Sequence, residues 1–156
     1  MREWPLIASA ARRLAVLKAR LAARTTLGAR ALVFGPDGRV LLLRHTYVPG
    51  WYFPGGGVEA NETAAEAAER EVLEETAVVL VEPPRLVSMH LNIRVSPRDH
   101  VAFFVGRTEA ATARARTGEI AEVGFFAPDT LPEGVTGATA RRIVEVIEGR
   151  RPERVW

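Results

Sequence analysis

Glu71, Glu74 and Glu75 share one side of a helix that the sequence predicts over 63–76, three and four residues apart. Their carboxylates repel one another, and they stand toward the C-terminal end, where the backbone dipole already disfavours negative charge. A cation resolves that conflict. Hard divalent ions such as Mg²⁺ take oxygen ligands and share one or two carboxylates with substrate phosphates, so the cluster points to metal-assisted chemistry on a phosphorylated molecule. One turn back on the same side, Ala64, Ala67 and Ala68 are small enough to leave room for metal and phosphate oxygens, while Ala65, Ala68 and Val72 offer a packing stripe.

The elements that must position these acids follow from local chemistry. Thr63 with Glu66 three residues later matches a capping box and starts the helix. Before it runs a loop from Pro49 through Trp51, Tyr52 and Phe53 into Pro54, Gly55, Gly56 and Gly57. Apolar runs over 29–34 and 40–44, joined by Gly35, Pro36, Asp37 and Gly38, predict a hairpin. Further strands are expected over 78–81, 86–93, 101–105 and 123–126, with a polar stretch of 108–118 that could be mobile. Ala140, Ile143, Val144 and Ile147 form a helical stripe ending at Gly149. Strands flanked by helices give an α/β sandwich.

The totals fit one domain. The chain has 156 residues, 47% of them hydrophobic and 26% charged, with a formal net charge of only +2, so nucleic acid is not the default partner. With no cysteine there are no disulfides, thiolate nucleophiles or cysteine-bound zinc. No stretch approaches the roughly 18 apolar residues of a spanning helix. Residues 5–24 read as an amphipathic cationic helix, with Ala10, Leu14, Leu17 and Leu21 opposite Arg12, Arg13 and Arg20. It packs on its own domain or on a second copy, or else lies on an anionic membrane surface. Localisation defaults to the cytoplasm, although such a start can mimic a transit peptide.

In order, the central segment gives Gly56, five residues, Glu62, seven residues, Arg70-Glu71-Val72, one residue, Glu74-Glu75, one residue and Ala77-Val78. This resembles the box of the MutT-like Nudix hydrolases, which lacks here only its last glycine, at Ala77. With the strand order around it, the resemblance spans most of 25–150, leaving 1–24 as an appended helix and 151–156 as a tail. It implies the Nudix fold, an α/β/α sandwich around a mixed β-sheet, and hydrolysis of a phosphoanhydride bond in a nucleoside diphosphate-linked compound such as ADP-ribose, or in a nucleoside triphosphate. No subfamily is assigned, because the downstream proline and tyrosine markers are not evident over 78–98.

The resemblance further implies that Glu71, Glu74 and Glu75, joined by the backbone carbonyl of Gly55, bind Mg²⁺ or Mn²⁺, and that Arg70 positions Glu71. The water-activating base in related enzymes is a glutamate of this helix or one from a later loop: here Glu71 or Glu75, with Glu119 and Glu122 as later candidates that read equally as exposed loop acids. Arg44, Gly56 and Gly57 are placed at the substrate, Arg44 reading equally as a surface arginine. Tyr47, Trp51 and Tyr52 either stack on a base or, as favoured here, pack the loop down. His45, His90 and His100 show no zinc spacing.

Two other readings stay open: a catalytically silent nucleotide-metabolite sensor, which would be expected to have lost box glutamates, and an RNA 5′-end pyrophosphohydrolase. No DNA partner is expected, RNA and membrane surfaces stay open, and the chain is a monomer or homodimer. Alanine at 77 would cost about 1 kcal/mol in a left-handed helix end, whereas Asn61 tolerates positive φ.

Overall fold

The computed structural model describes residues 24–156; the helix expected over 5–24 lies, but for its last residue, outside the described residues. The elements are β1 (Thr26–Phe34), β2 (Val40–His45), β3 (Gly55–Gly57), α1 (Ala64–Thr76), β4 (Arg85–Leu91), β5 (Asp99–Arg107), β6 (Ile120–Phe126) and α2 (Gly137–Glu148). They build a six-stranded sheet in the order β4-β5-β1-β2-β6, with β3 paired to β1. The sheet is mixed, because β1 runs parallel to β5 and antiparallel to β2 and β3.

Alternation along β1 divides the core. Ala29, Ala31 and Val33 face a cluster completed by Ala67, Ala68 and Val72 of α1, whereas Leu32 faces the other side with Phe53, Phe103 and Ile143 of α2. Helices therefore cover opposite sheet faces, as the expected sandwich requires. The same packing corrects one reading of α1: Ala67 and Ala68 are fully buried against the sheet, so they leave no room for ligand oxygens.

Helix α1 begins as expected. The Glu66 N–H donates to Thr63 Oγ1 at 3.2 Å and the Thr63 N–H to Glu66 Oε2 at 2.7 Å, closing the capping box. It ends on Ala77 in the left-handed region, φ 60°. The 108–118 stretch covers that end instead of moving freely: the N–H groups of Arg114 and Arg116 donate to the carbonyls of Thr76 and Glu75 at 3.0 and 3.4 Å, which supplies partners to carbonyls that a helix terminus leaves open.

Other expectations need correction. Residues 78–81 form no strand; Val78 and Leu80 are buried in the core cluster against the sheet and Val79 and Val81 exposed, and the segment is tied to the end of β5 by Val81 N–H to Arg107 O and by Thr108 Oγ1 to Val79 O instead of by a ladder. In α2 the buried face carries Thr139, Arg142, Ile143 and Glu145, while Val144 and Ile147 are exposed. Arg142 is completely buried, its guanidinium 2.7 Å from Glu145, within hydrogen-bond distance of the His90 ring and over the Trp156 ring. Residues 151–156, set apart as a tail, pack onto the domain: Trp156 N–H donates to Leu91 O and Leu91 N–H to Arg154 O, each at 3.0 Å. Among the described residues no helix is long and apolar enough to cross a membrane.

Candidate active site

The box glycine and the first helix glutamate explain each other. Strand β3 lies against β1 with Gly55 opposite Arg30 and Gly56 opposite Ala29. A Cβ on Gly56 would stand 2.3 Å from Glu71 Oε1, and one on Gly55 would stand 2.1 Å from the Ala29 carbonyl oxygen. Glycine at 56 thus lets Glu71 reach the strand backbone, and glycine at 55 lets β3 lie close against β1.

Arg70 fastens the loop before α1 to the helix. Its Nε and Nη2 grip both oxygens of Glu62 at 3.1 and 2.9 Å, Nη2 also donates to the Gly57 carbonyl at 3.2 Å, and Nη1 donates to Glu71 at 2.8 Å and Glu74 at 3.2 Å. A planar guanidinium suits this multiple grip. Arg70 holds the Glu62 carboxyl below the usual range, assisted by the Glu59 N–H, and Glu62 in turn holds the Arg70 proton more tightly than usual. Part of the repulsion among the helix acids is therefore answered within the chain.

Glu75 makes no such ion pair among the described residues; the cation that acts on it, Arg30, donates instead to the Gly55 carbonyl. Glu75 Oε2 accepts from the Gly55 N–H at 2.9 Å, and burial pushes its ionisation up to about 7 against the pull of that N–H and of Arg30, with Glu71 and Glu119 adding to the rise. The structure thus brings Glu71 and Glu75 to the glycine strand, with Glu119 near enough for its charge to act on Glu75. Glu74 is more exposed, its side chain 54% accessible and turned to Arg70. Among the described residues no three acidic or histidine side chains gather closely enough to hold an ion as they stand. The donors, three carboxylates and the Gly55 carbonyl, are all oxygen and suit Mg²⁺ or Mn²⁺, although Arg70 holds Glu71 and Glu74 and Arg30 donates to the Gly55 carbonyl. Glu74 would need to turn from Arg70 to complete the set.

Of the two later acids, Glu122 is taken by Arg44 at 3.3 Å, on the outer side of β6. Arg44 also lies over the Trp51 ring, 5.7 Å from its centroid, and edges a cleft of about 390 Å³ with the loop that follows β2. Trp51 is buried edge-on to Phe126 at 4.7 Å, so it packs the loop as expected. Tyr47 is exposed, so it does not pack the loop down.

Two residues near the site were not singled out from sequence. Arg30 donates to the Gly55 carbonyl, and its signal was a charge inside the otherwise apolar run of a central strand. His45 lies between Tyr47 and Tyr52, ring centroids 5.0 and 5.5 Å away, with Nδ1 buried and unpartnered. Burial and Arg30 lower its pKa, so the ring is neutral near pH 7.

Comparison with known proteins agrees with this geometry. The NUDIX domain family model matches residues 24–146. A Bacillus subtilis (strain 168) protein, provisionally named 8-oxo-dGTP diphosphatase, is 30% identical over 132 residues, covering 83% of this chain and 85% of that protein. The RNA pyrophosphohydrolase of Halorhodospira halophila (strain DSM 244 / SL1) is 51% identical over 47 residues, 30% of this chain and 26% of that protein. Among solved structures, the MutT NUDIX hydrolase from Burkholderia pseudomallei superimposes with a TM-score of 0.63 at 30% identity, covering 78% of this chain and 97% of that one. The match over most of the chain, on a mixed sheet with a box helix at its glycine strand, makes this protein a member of the Nudix hydrolase family.

Proposed function

We propose that the chain is a Mg²⁺- or Mn²⁺-dependent pyrophosphohydrolase that cleaves a phosphoanhydride bond in a nucleoside diphosphate-linked compound such as ADP-ribose, or in a nucleoside triphosphate, by attack of water at phosphorus. The observation that carries this reading is Glu75: a part-buried acid held against the Gly55 N–H, with no salt bridge among the described residues and its ionisation raised to about 7. Packing alone gives no reason to bury a charge in this way. A neighbouring site for a divalent ion does.

Glu71, Glu74, Glu75 and the Gly55 carbonyl would hold the ion. When bound, it would neutralise phosphate oxygens and lower the pKa of a coordinated water. Arg70 keeps Glu71 against Gly56 and so acts as a positioning residue. Glu71, Glu75 or Glu119 takes the proton of the attacking water, and Arg44, with the backbone of Gly56 and Gly57, meets substrate phosphates. The full set of box glutamates argues against a silent sensor. The local likeness to an RNA pyrophosphohydrolase keeps a triphosphorylated RNA end as a second reading.

Purified protein incubated with nucleoside triphosphates, nucleotide sugars, ADP-ribose, dinucleoside polyphosphates and 5′-triphosphorylated or capped RNA, with and without Mg²⁺, tests the proposal. Cleavage of at least one diphosphate linkage only with the metal is the expected result. Binding without cleavage of any of them would favour the sensor and overturn the proposal.

A further inference from the structure

Beside the glycine strand, on the α2 face of the sheet, lies a cleft of about 380 Å³. Arg30 and Arg94 both line it, together with Tyr52, Trp156, Asn92 and Thr136, and among the described residues no acidic side chain does. Arg30 joins the cleft to the box, because the same guanidinium donates to the Gly55 carbonyl. Arg94 comes from a tight turn closed by Val95 N–H to Asn92 O at 3.0 Å, and it makes no hydrogen bond or ion pair among the described residues. Thr136 is the N-cap of α2, so the partly positive end of that helix adds to the field.

We infer that this cleft receives a second anionic group of the substrate, a phosphate monoester carried in addition to the diphosphate that is cut. The inference rests on the hydrolase reading above and narrows it to a substrate class. Arg30 is partly answered by the Gly55 carbonyl and by Glu75, but Arg94 lines the same cleft with no partner among the described residues, and a neutral ligand covering it would desolvate its charge without compensation. A phosphate dianion accepts charge-assisted hydrogen bonds from both, and an arginine fork matches its oxygens. The rings of Tyr52 and Trp156 offer flat walls for the sugar or base that carries the phosphate. A neutral purine could also offer acceptors to an arginine; it would leave the cleft's charge unbalanced, which is why the anion is favoured.

Calorimetric titration of the full chain, in Mg²⁺, with AMP and with adenosine 2′,5′- and 3′,5′-bisphosphate reads the inference directly. At least one bisphosphate is expected to bind about tenfold or more tightly than AMP, the worth of one or two charge-assisted bonds. In Arg94→Gln that ratio should fall below about twofold, and in Arg94→Lys most of it should return. Arg94 is exposed on its turn, and circular dichroism would check that each variant keeps the fold. AMP binding as tightly as both bisphosphates, or an advantage that survives Arg94→Gln, would overturn the inference. Failure to hydrolyse any diphosphate while the contrast persists would instead overturn the reaction, so the two failures are distinguishable.

Discussion

The Glu75 carboxylate accepts a hydrogen bond from the backbone N–H of Gly55 at 2.9 Å. This contact ties the end of α1 to the glycine strand and holds a part-buried acid near Arg30 of β1 and close enough to Glu119 to feel its charge.

Stability of the metal-free protein should fall as pH rises from about 4.5 to 7. The folded-state pKa of Glu75 is raised from the ordinary 4.5 to about 7, so the folded protein binds more protons than the unfolded chain inside that window, and ionisation there works against folding. Glu75→Gln removes the charge and keeps an acceptor for Gly55. In urea unfolding without metal, the variant should exceed the parent by up to about 3 kcal/mol at pH 8, with the gap closing below pH 4. A gap independent of pH would contradict the assignment.

Replacing Arg70 with lysine keeps the charge but cannot span Glu62, Glu71, Glu74 and the Gly57 carbonyl together. Turnover should drop by about 10–100-fold, the usual cost of losing a partner that orients a metal-binding carboxylate, and Mn²⁺ affinity should weaken with it. Normal turnover and affinity in the lysine variant would show that the grip is structural only.

Ala77→Gly should stabilise the protein by about 1 kcal/mol, because alanine at φ 60° bears a strain that glycine does not. Thermal unfolding should shift upward by about 2–4 °C. An unchanged or lower midpoint would mean that Arg114 and Arg116 already absorb that strain.

Glu145→Ala leaves Arg142 buried without its 2.7 Å partner, and should cost about 3 kcal/mol in chemical unfolding. Changing both, Arg142→Met with Glu145→Leu, should recover most of the loss, since a well-packed apolar pair replaces a buried ion pair at little cost.

The parts of this molecule legible in the sequence are those set by local rules. Thr63 and Glu66 mark the helix start by mutual capping, and the spacing from Gly56 to Val78 marks the box because each residue answers a need a few residues away. The unbroken apolar runs of β1 and β2 mark strands buried on both faces. What stayed hidden depends on distant partners. Val78 and Leu80 look like strand residues, yet the segment only touches the end of β5, through Val81 and Val79, and forms no ladder. Arg142 looks like a surface residue of α2 until His90, Glu145 and Trp156 enclose it. The three helix acids seemed to share one problem, but Arg70 answers it for Glu71 and Glu74, which leaves Glu75 as the acid that burial perturbs.

Titration calorimetry of Mg²⁺ or Mn²⁺ into the purified chain and its Glu75→Gln variant, near pH 6.5, tests the central claim most directly. Uptake by the parent with release of a proton, as the half-protonated Glu75 ionises, and binding at least about tenfold weaker in the variant are predicted. No uptake by the parent, or equal uptake without proton release in both proteins, would contradict the account.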